Sequence, residues 1–274
     1  MKRVLITGGT RGIGKAMAVD FARADYEVHI VGRNKEQGQK VIDELENINP
    51  KGIHKLFIVD LESIEENKKF VCEYKSLYKQ LDLLILNANI RPRKIADLTN
   101  EGYNNIFMVG CISRYLFIKE FEDILLTSKE GKIVHIGDAR LLQKINEKNL
   151  KVDGISGMKS LLSAYTGSAY FNYFLNDREI IKVPSIFVNP GMVDTNNEQG
   201  EKSSFWIRMI SKKPEVVSKR IVDNIIMISS NESAKKFYNI DKLCSLDKKI
   251  SKKENNFNKL YEIVQNIITV NHIN

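Results

Sequence analysis

Residues 7 to 14 read Thr7-Gly8-Gly9-Thr10-Arg11-Gly12-Ile13-Gly14, set between the apolar run Val4-Leu5-Ile6 and a helix-forming stretch from Lys15 to Ala24. Between a strand and a helix, such glycines let the backbone turn tightly and approach a pyrophosphate. The free N–H groups and positive dipole end of the helix stabilise the charge. Glycine also serves plain tight turns, so the flanking elements carry the argument.

Two arginines bear on which dinucleotide is bound. Tyr26 to Val31 is β-prone and ends in Gly32-Arg33-Asn34, where a cofactor ribose would lie. An acidic residue there would accept hydrogen bonds from a free 2′-hydroxyl, whereas Arg33, with Arg11 in the glycine turn, suits a 2′-phosphate. The expectation is NADP(H) ahead of NAD(H). The alternative is that both arginines are solvated surface charges.

The elements that must position these groups alternate, strand-like then helix-like, from residue 1 to about 195. That order predicts an α/β chain, a Rossmann-type doubly wound parallel sheet. With 274 residues and 43% hydrophobic content, a single domain over 1-274 can build a full core. There are no internal repeats or low-complexity linkers. Leu260, Ile263, Val264 and Ile267 form an amphipathic stripe expected to dock on the core rather than on a membrane.

The chain resembles the short-chain dehydrogenase/reductase family, and within it the retinol dehydrogenase-like branch. The resemblance rests on Gly32-Arg33-Asn34, Asp60-Leu61, Leu81 to Ala88, Lys132 to Ile136, Asn189 to Thr195, Lys213-Pro214-Glu215 and Leu260-Tyr261-Glu262, in the family's order. It implies that Asp60 and Leu61 lie at the adenine, that Asn87 and Ala88 line the cofactor cleft, and that Pro190, Gly191, Val193 and Thr195 form its nicotinamide end, Thr195 holding the carboxamide. It also places a substrate lid at about 196-213, which contains Phe205, Trp206, Ile207, Met209 and Ile210. A homodimer through the helices carrying Gly110 and Tyr165 is the family's usual arrangement.

The family's catalytic set of asparagine, serine, tyrosine and lysine is broken here. Tyr165 and Ser168 match, but Gly110 stands for the asparagine, Asp138 for the serine and Ala169 for the lysine; Gly137 precedes Asp138, and Asn89 replaces a glycine. Lys159, six residues before Tyr165, falls on another helix face. A free tyrosine titrates near about 10, so without a neighbouring cation alcohol oxidation lacks its base. An ionised Asp138 beside a carbonyl would oppose the developing oxyanion, where losing a donor costs about 3 to 4 kcal/mol.

Two kinds of function fit. One is an NADP-dependent oxidoreductase of atypical mechanism acting on a small molecule, with Tyr165 and Asp138 as the catalytic candidates. Asp138 would stabilise a cationic, iminium-type acceptor or serve as a base in redox-neutral chemistry. The other is a non-catalytic protein that senses the cofactor or partners an active relative. The formal charge of +8 comes from scattered lysines without a nucleic-acid motif, so no nucleic-acid partner is expected. Cys72, Cys111 and Cys244 are unclustered, which argues for a reducing, cytoplasmic setting and no metal site. His135, mid-strand, is expected to be buried and hydrogen-bonded. The first strand begins almost at Met1, which leaves no room for a targeting peptide, and no run is apolar enough to span a bilayer.

Overall fold

The computed structural model describes residues 1–145, 150–151, 154–194, 211–229, 234–240 and 242–270. β1 (Arg3–Thr7) is an apolar run whose Val4, Leu5 and Ile6 are fully buried, as expected of a parallel strand covered on both faces. It pairs in parallel with β2 (Glu27–Gly32) on one side and with β4 (Leu83–Leu86) on the other. β3 (Lys55–Ile58) extends the sheet beyond β2, while β5 (Lys132–Ile136), β6 (Ser185–Asn189) and β7 (Lys236–Asn239) extend it beyond β4. β8 (Lys242–Cys244) closes that edge antiparallel to β7. The order 3-2-1-4-5-6-7-8 reverses between β1 and β4, so the crevice for a ligand opens at the carboxyl ends of those two strands.

Helices cover both faces. Met17 and Phe21 of α1 (Gly12–Arg23), Val41 and Leu45 of α2 (Lys35–Ile48), and the helix Pro214–Met227 through Val217 and Ile221 pack on one face. Pro214 opens that last helix, where its missing N–H costs nothing. On the other face lie α3 (Ile64–Leu77), with Phe70 and Tyr74, and a compound helix carrying Phe117. The compound helix consists of α4 (Asn105–Phe107), a π-helical turn (Met108–Ile112) and α5 (Ser113–Glu120). α6 (Glu122–Leu126) follows it, and α7 (Gly157–Asp177) adds Phe171 and Phe174. We number Pro214–Met227 α8, Leu246–Ile250 α9 and Glu254–Val270 α10.

α7 lies hard against the π-helical turn because position 167 is glycine. A Cβ there would fall 2.3 Å from the Cys111 sulfur. The C-terminal stripe docks as its spacing predicts: Leu260 and Val264 of α10 are fully buried and Ile263 is partly buried. The second strand runs one residue later than expected at each end. Strand pairing also continues past residue 195 into β7 and β8, which the alternation of sequence patterns had not reached. Of the expected lid, only residues 211–213 fall among the described residues, with Lys212 bridged in parallel to Val193.

Candidate active site

The glycine turn is locked to the end of β4. Asn87 donates from Nδ2 to the carbonyls of Thr7 (3.0 Å) and Gly8 (3.2 Å), and the Thr7 hydroxyl accepts the N–H groups of Asn87 and Ala88, each at 3.0 Å. Gly8 and Gly12 have φ of +68° and +54°, the left-handed region glycine enters without strain. A Cβ on Gly14 would sit 2.1 Å from the Gly8 carbonyl oxygen. Thr10 is buried beneath Gly32, and Ile13 is partly buried in the adjoining core. Arg11 takes the N-cap of α1 with no side-chain cap bond, and the first turn holds no acidic residue. Its N–H groups are therefore available to an anion.

At the ribose end, exposed Arg33 is ion-paired. Its Nη1 lies 2.6 Å from Glu62 and 3.7 Å from Asp60. The Asn34 side chain is occupied as the cap of α2, accepting the Gln37 N–H at 2.9 Å, and Leu61 is buried in the core. At the nicotinamide end, Pro190 leads into Gly191, which has φ of +72° and whose N–H donates to Asn189 Oδ1. Val193 packs against the core, whereas Thr195 lies outside the described residues.

Tyr165 reaches from α7 across the end of β5. A Cβ at position 137 would lie 2.6 Å from its Cδ1, so glycine there makes room for the ring. Burial raises the Tyr165 hydroxyl above its ordinary range, the charge of Arg114 opposes that rise, and Asp138 adds to it.

Asp138 is not the free carboxylate the sequence suggests. Arg140 clamps it in a fork, with Nε 2.9 Å from Oδ1 and Nη2 2.6 Å from Oδ2, and Asn189 Nδ2 donates to Oδ1 at 3.3 Å. Burial pushes the carboxyl up, but the Arg140 contacts outweigh it and hold the group below its usual value. The pair is ionised but close to neutral overall.

His135 also departs from expectation. It is fully buried and stacked on Phe187 (centroids 6.1 Å apart, 13° between planes), yet among the described residues neither ring nitrogen has a hydrogen-bond partner. Burial, with Arg114 nearby, lowers its basicity well below the usual range and keeps it neutral.

The family model for short chain dehydrogenases matches residues 2–147. The chain belongs to that family. Human dehydrogenase/reductase SDR family member 12 is 30% identical over 150 residues, which are 54% of this chain and 46% of the relative. The matched region thus spans about half of that protein. The 3-oxoacyl-[acyl-carrier-protein] reductase FabG of Chlamydia pneumoniae is 25% identical over 199 residues, 71% of this chain and 75% of its own length. Among solved structures, a short chain dehydrogenase from Shigella flexneri complexed with NADP superposes with a TM-score of 0.68 at 16% identity, covering 87% of this chain and 96% of the other. One from Escherichia coli complexed with NADPH gives 0.66 at 17%, covering 87% and 96%.

In this short chain dehydrogenase, Arg114 is the site residue that motif reading passes over. Only 1% exposed, it donates to Ser168 Oγ at 3.2 Å and to the carbonyls of Ala88 (3.1 Å) and Ile136 (3.0 Å). The available signal was its place four residues after Gly110, one helical turn along the segment that has lost its asparagine.

Proposed function

We propose that the protein is an NADP(H)-dependent oxidoreductase of atypical active site that reduces a carbonyl group of a small molecule. The observation that carries this reading is the uncapped, acid-free start of α1 facing the locked Thr7–Gly8–Asn87 corner, a fit for a pyrophosphate. Thr7, Gly8, Thr10, Arg11, Gly12, Ile13 and Gly14 would hold the phosphates. Arg33 and Asn34 would lie at the ribose, Asp60 and Leu61 at the adenine, and Asn87, Ala88, Pro190, Gly191, Val193 and Thr195 along the nicotinamide half. Arg33 must exchange its pair with Glu62 for a 2′-phosphate, and Arg11, at the N-cap of α1, is exposed. The similar structures that hold NADP or NADPH support a nicotinamide cofactor.

When bound, the nicotinamide supplies hydride. Tyr165, kept protonated by burial, is in the state needed to give its hydroxyl proton to the carbonyl oxygen. Asp138, neutralised by Arg140, orients the loop after β5 rather than carrying charge to the substrate. A homodimer and a cytoplasmic setting accompany this reading as the family's ordinary arrangement.

The test is calorimetric titration with NADPH and NADH, followed by NADPH oxidation against a panel of aldehydes and ketones with Tyr165→Phe as control. Tighter NADPH binding and a Tyr165-dependent rate are expected. Equal affinity would remove the NADP assignment, and tight binding with no turnover on any carbonyl would favour the cofactor-sensing reading.

A further inference from the structure

Arg114 is buried without an ion pair among the described residues. Burying a charge unpaired costs several kcal/mol, and an apolar residue of similar volume is usually no worse for stability. Its guanidinium is held by neutral oxygens only: two carbonyls, at the ends of β4 and β5, and the Ser168 hydroxyl. Nε is buried and has no partner among the described residues. The carbonyls belong to Ala88 and Ile136, the strand ends that border the cofactor crevice. Ser168 stands three residues after Tyr165, on the neighbouring turn of α7, and its Oγ lies 2.9 Å from the Gly110 carbonyl.

Arg114 donates to Ser168, the residue before Ala169, and Ser168 donates to the Gly110 carbonyl, so the charge is tied by hydrogen bonds to both segments from which the family's lysine and asparagine are missing. Ala169, where the lysine would be, is fully buried with no charge of its own. We propose that Arg114 supplies, from α5, the buried positive charge that a lysine at position 169 would otherwise supply, and stabilises the Tyr165 phenolate left when the hydroxyl proton is given to substrate. The inference rests on the reductase reading above. In the step, the Tyr165 O–H bond breaks, the proton bonds to the carbonyl oxygen as hydride from NADPH reaches the carbon, and solvent later reprotonates the phenolate. Arg114 touches neither substrate nor cofactor in this scheme and is a positioning residue.

The surrounding groups leave this cation free to act on Tyr165. Burial lowers Arg114 to about 10, which keeps it charged at neutral pH. Cys111, buried beside it, is pushed up by burial and stays a thiol. His135 is neutral, and Asp138 is engaged by Arg140.

The experiment compares the full chain with Arg114→Gln and Arg114→Lys at neutral pH, where Arg114 is charged, reading kcat and KM for NADPH-driven carbonyl reduction. NADPH-induced thermal stabilisation serves as the check on the fold. Arg114→Gln should lower kcat at least tenfold while KM for NADPH stays within about threefold, and Arg114→Lys should stay within about threefold of wild type in both. If Gln leaves the chain unfolded, Arg114→Met replaces the cation with an apolar side chain of similar length and carries the same expectation. Unchanged kcat in a folded Gln or Met variant, or a Lys variant as slow as Gln, overturns the proposal and leaves Arg114 as packing. Failure of the reductase reading shows separately, as a wild-type protein that binds no NADPH or turns over no carbonyl.

Discussion

The Asn89 side chain occupies the space above Gly110: a Cβ at position 110 would lie 2.8 Å from Asn89 Oδ1. Ala164 crowds the same point, also at 2.8 Å, so Gly110→Ala should cost about 1 to 3 kcal/mol. Asn89→Gly in the same chain should recover part of that, a non-additivity of at least about 0.5 kcal/mol in urea unfolding. Strict additivity would show that the two positions do not share volume.

Asp138→Asn loses the fork to Arg140 but keeps its shape and the Asn189 contact. The pair is partly exposed, so the stability change should be about 1 kcal/mol or less. Turnover should change by less than threefold. A drop on the order of 100-fold, the size expected for one preorganised electrostatic group, would return the catalytic role to this carboxylate.

On the proposed NADP(H) reading, Glu62 would compete with the 2′-phosphate for Arg33. Glu62→Gln should therefore tighten NADPH by up to about fivefold and leave NADH nearly unchanged, since exposed ion pairs contribute up to about 1 kcal/mol. Arg33→Ala should abolish the preference. Isothermal titration of both nucleotides against the two variants decides it, and an Arg33→Ala protein that still prefers NADPH would assign the 2′-phosphate elsewhere.

Acid should weaken the fold through Glu27. Burial raises this carboxyl, but His29 (2.8 Å) and Arg3 (3.0 Å) pull it from an ordinary 4.5 down to about 2. A depressed carboxyl stabilises the folded state fully above its unfolded value and loses that contribution as pH falls through about 2. Glu27→Gln should flatten the stability profile between these values in denaturant titrations, at a cost in stability at neutral pH. An unchanged profile would place the acid sensitivity in another group.

The strand, glycine turn and helix at the start of the chain were legible because their constraints are local and backbone-borne. Gly8, Gly12 and Gly14 are required by conformation or close approach, and neighbours in sequence supply the strand and the helix. The catalytic half was not, because its groups are brought together from separate elements. Arg140 and Asp138 are only two residues apart, yet nothing in the letters shows that one folds back on the other. Arg114 reads as an ordinary helical arginine until α5, α7 and the ends of β4 and β5 are assembled around it. His135 looked like a satisfied buried histidine, and only the packing shows its ring nitrogens without a hydrogen-bond partner among the described residues. Most of the expected lid, with Phe205 and Trp206, lies outside the described residues, as does Thr195.

The buried amine of Lys132 on β5 donates to the carbonyls of Ile225 and Ile228 at the end of α8. Those acceptors lie more than ninety residues further along the chain. During synthesis the strand emerges well before the groups that satisfy it, and a desolvated ammonium without them is costly. Committed burial of the middle of this sheet must therefore wait for the late helix, so a nascent chain released before residue 228 should remain protease-sensitive through β5 even though the glycine turn and its flanking elements are complete.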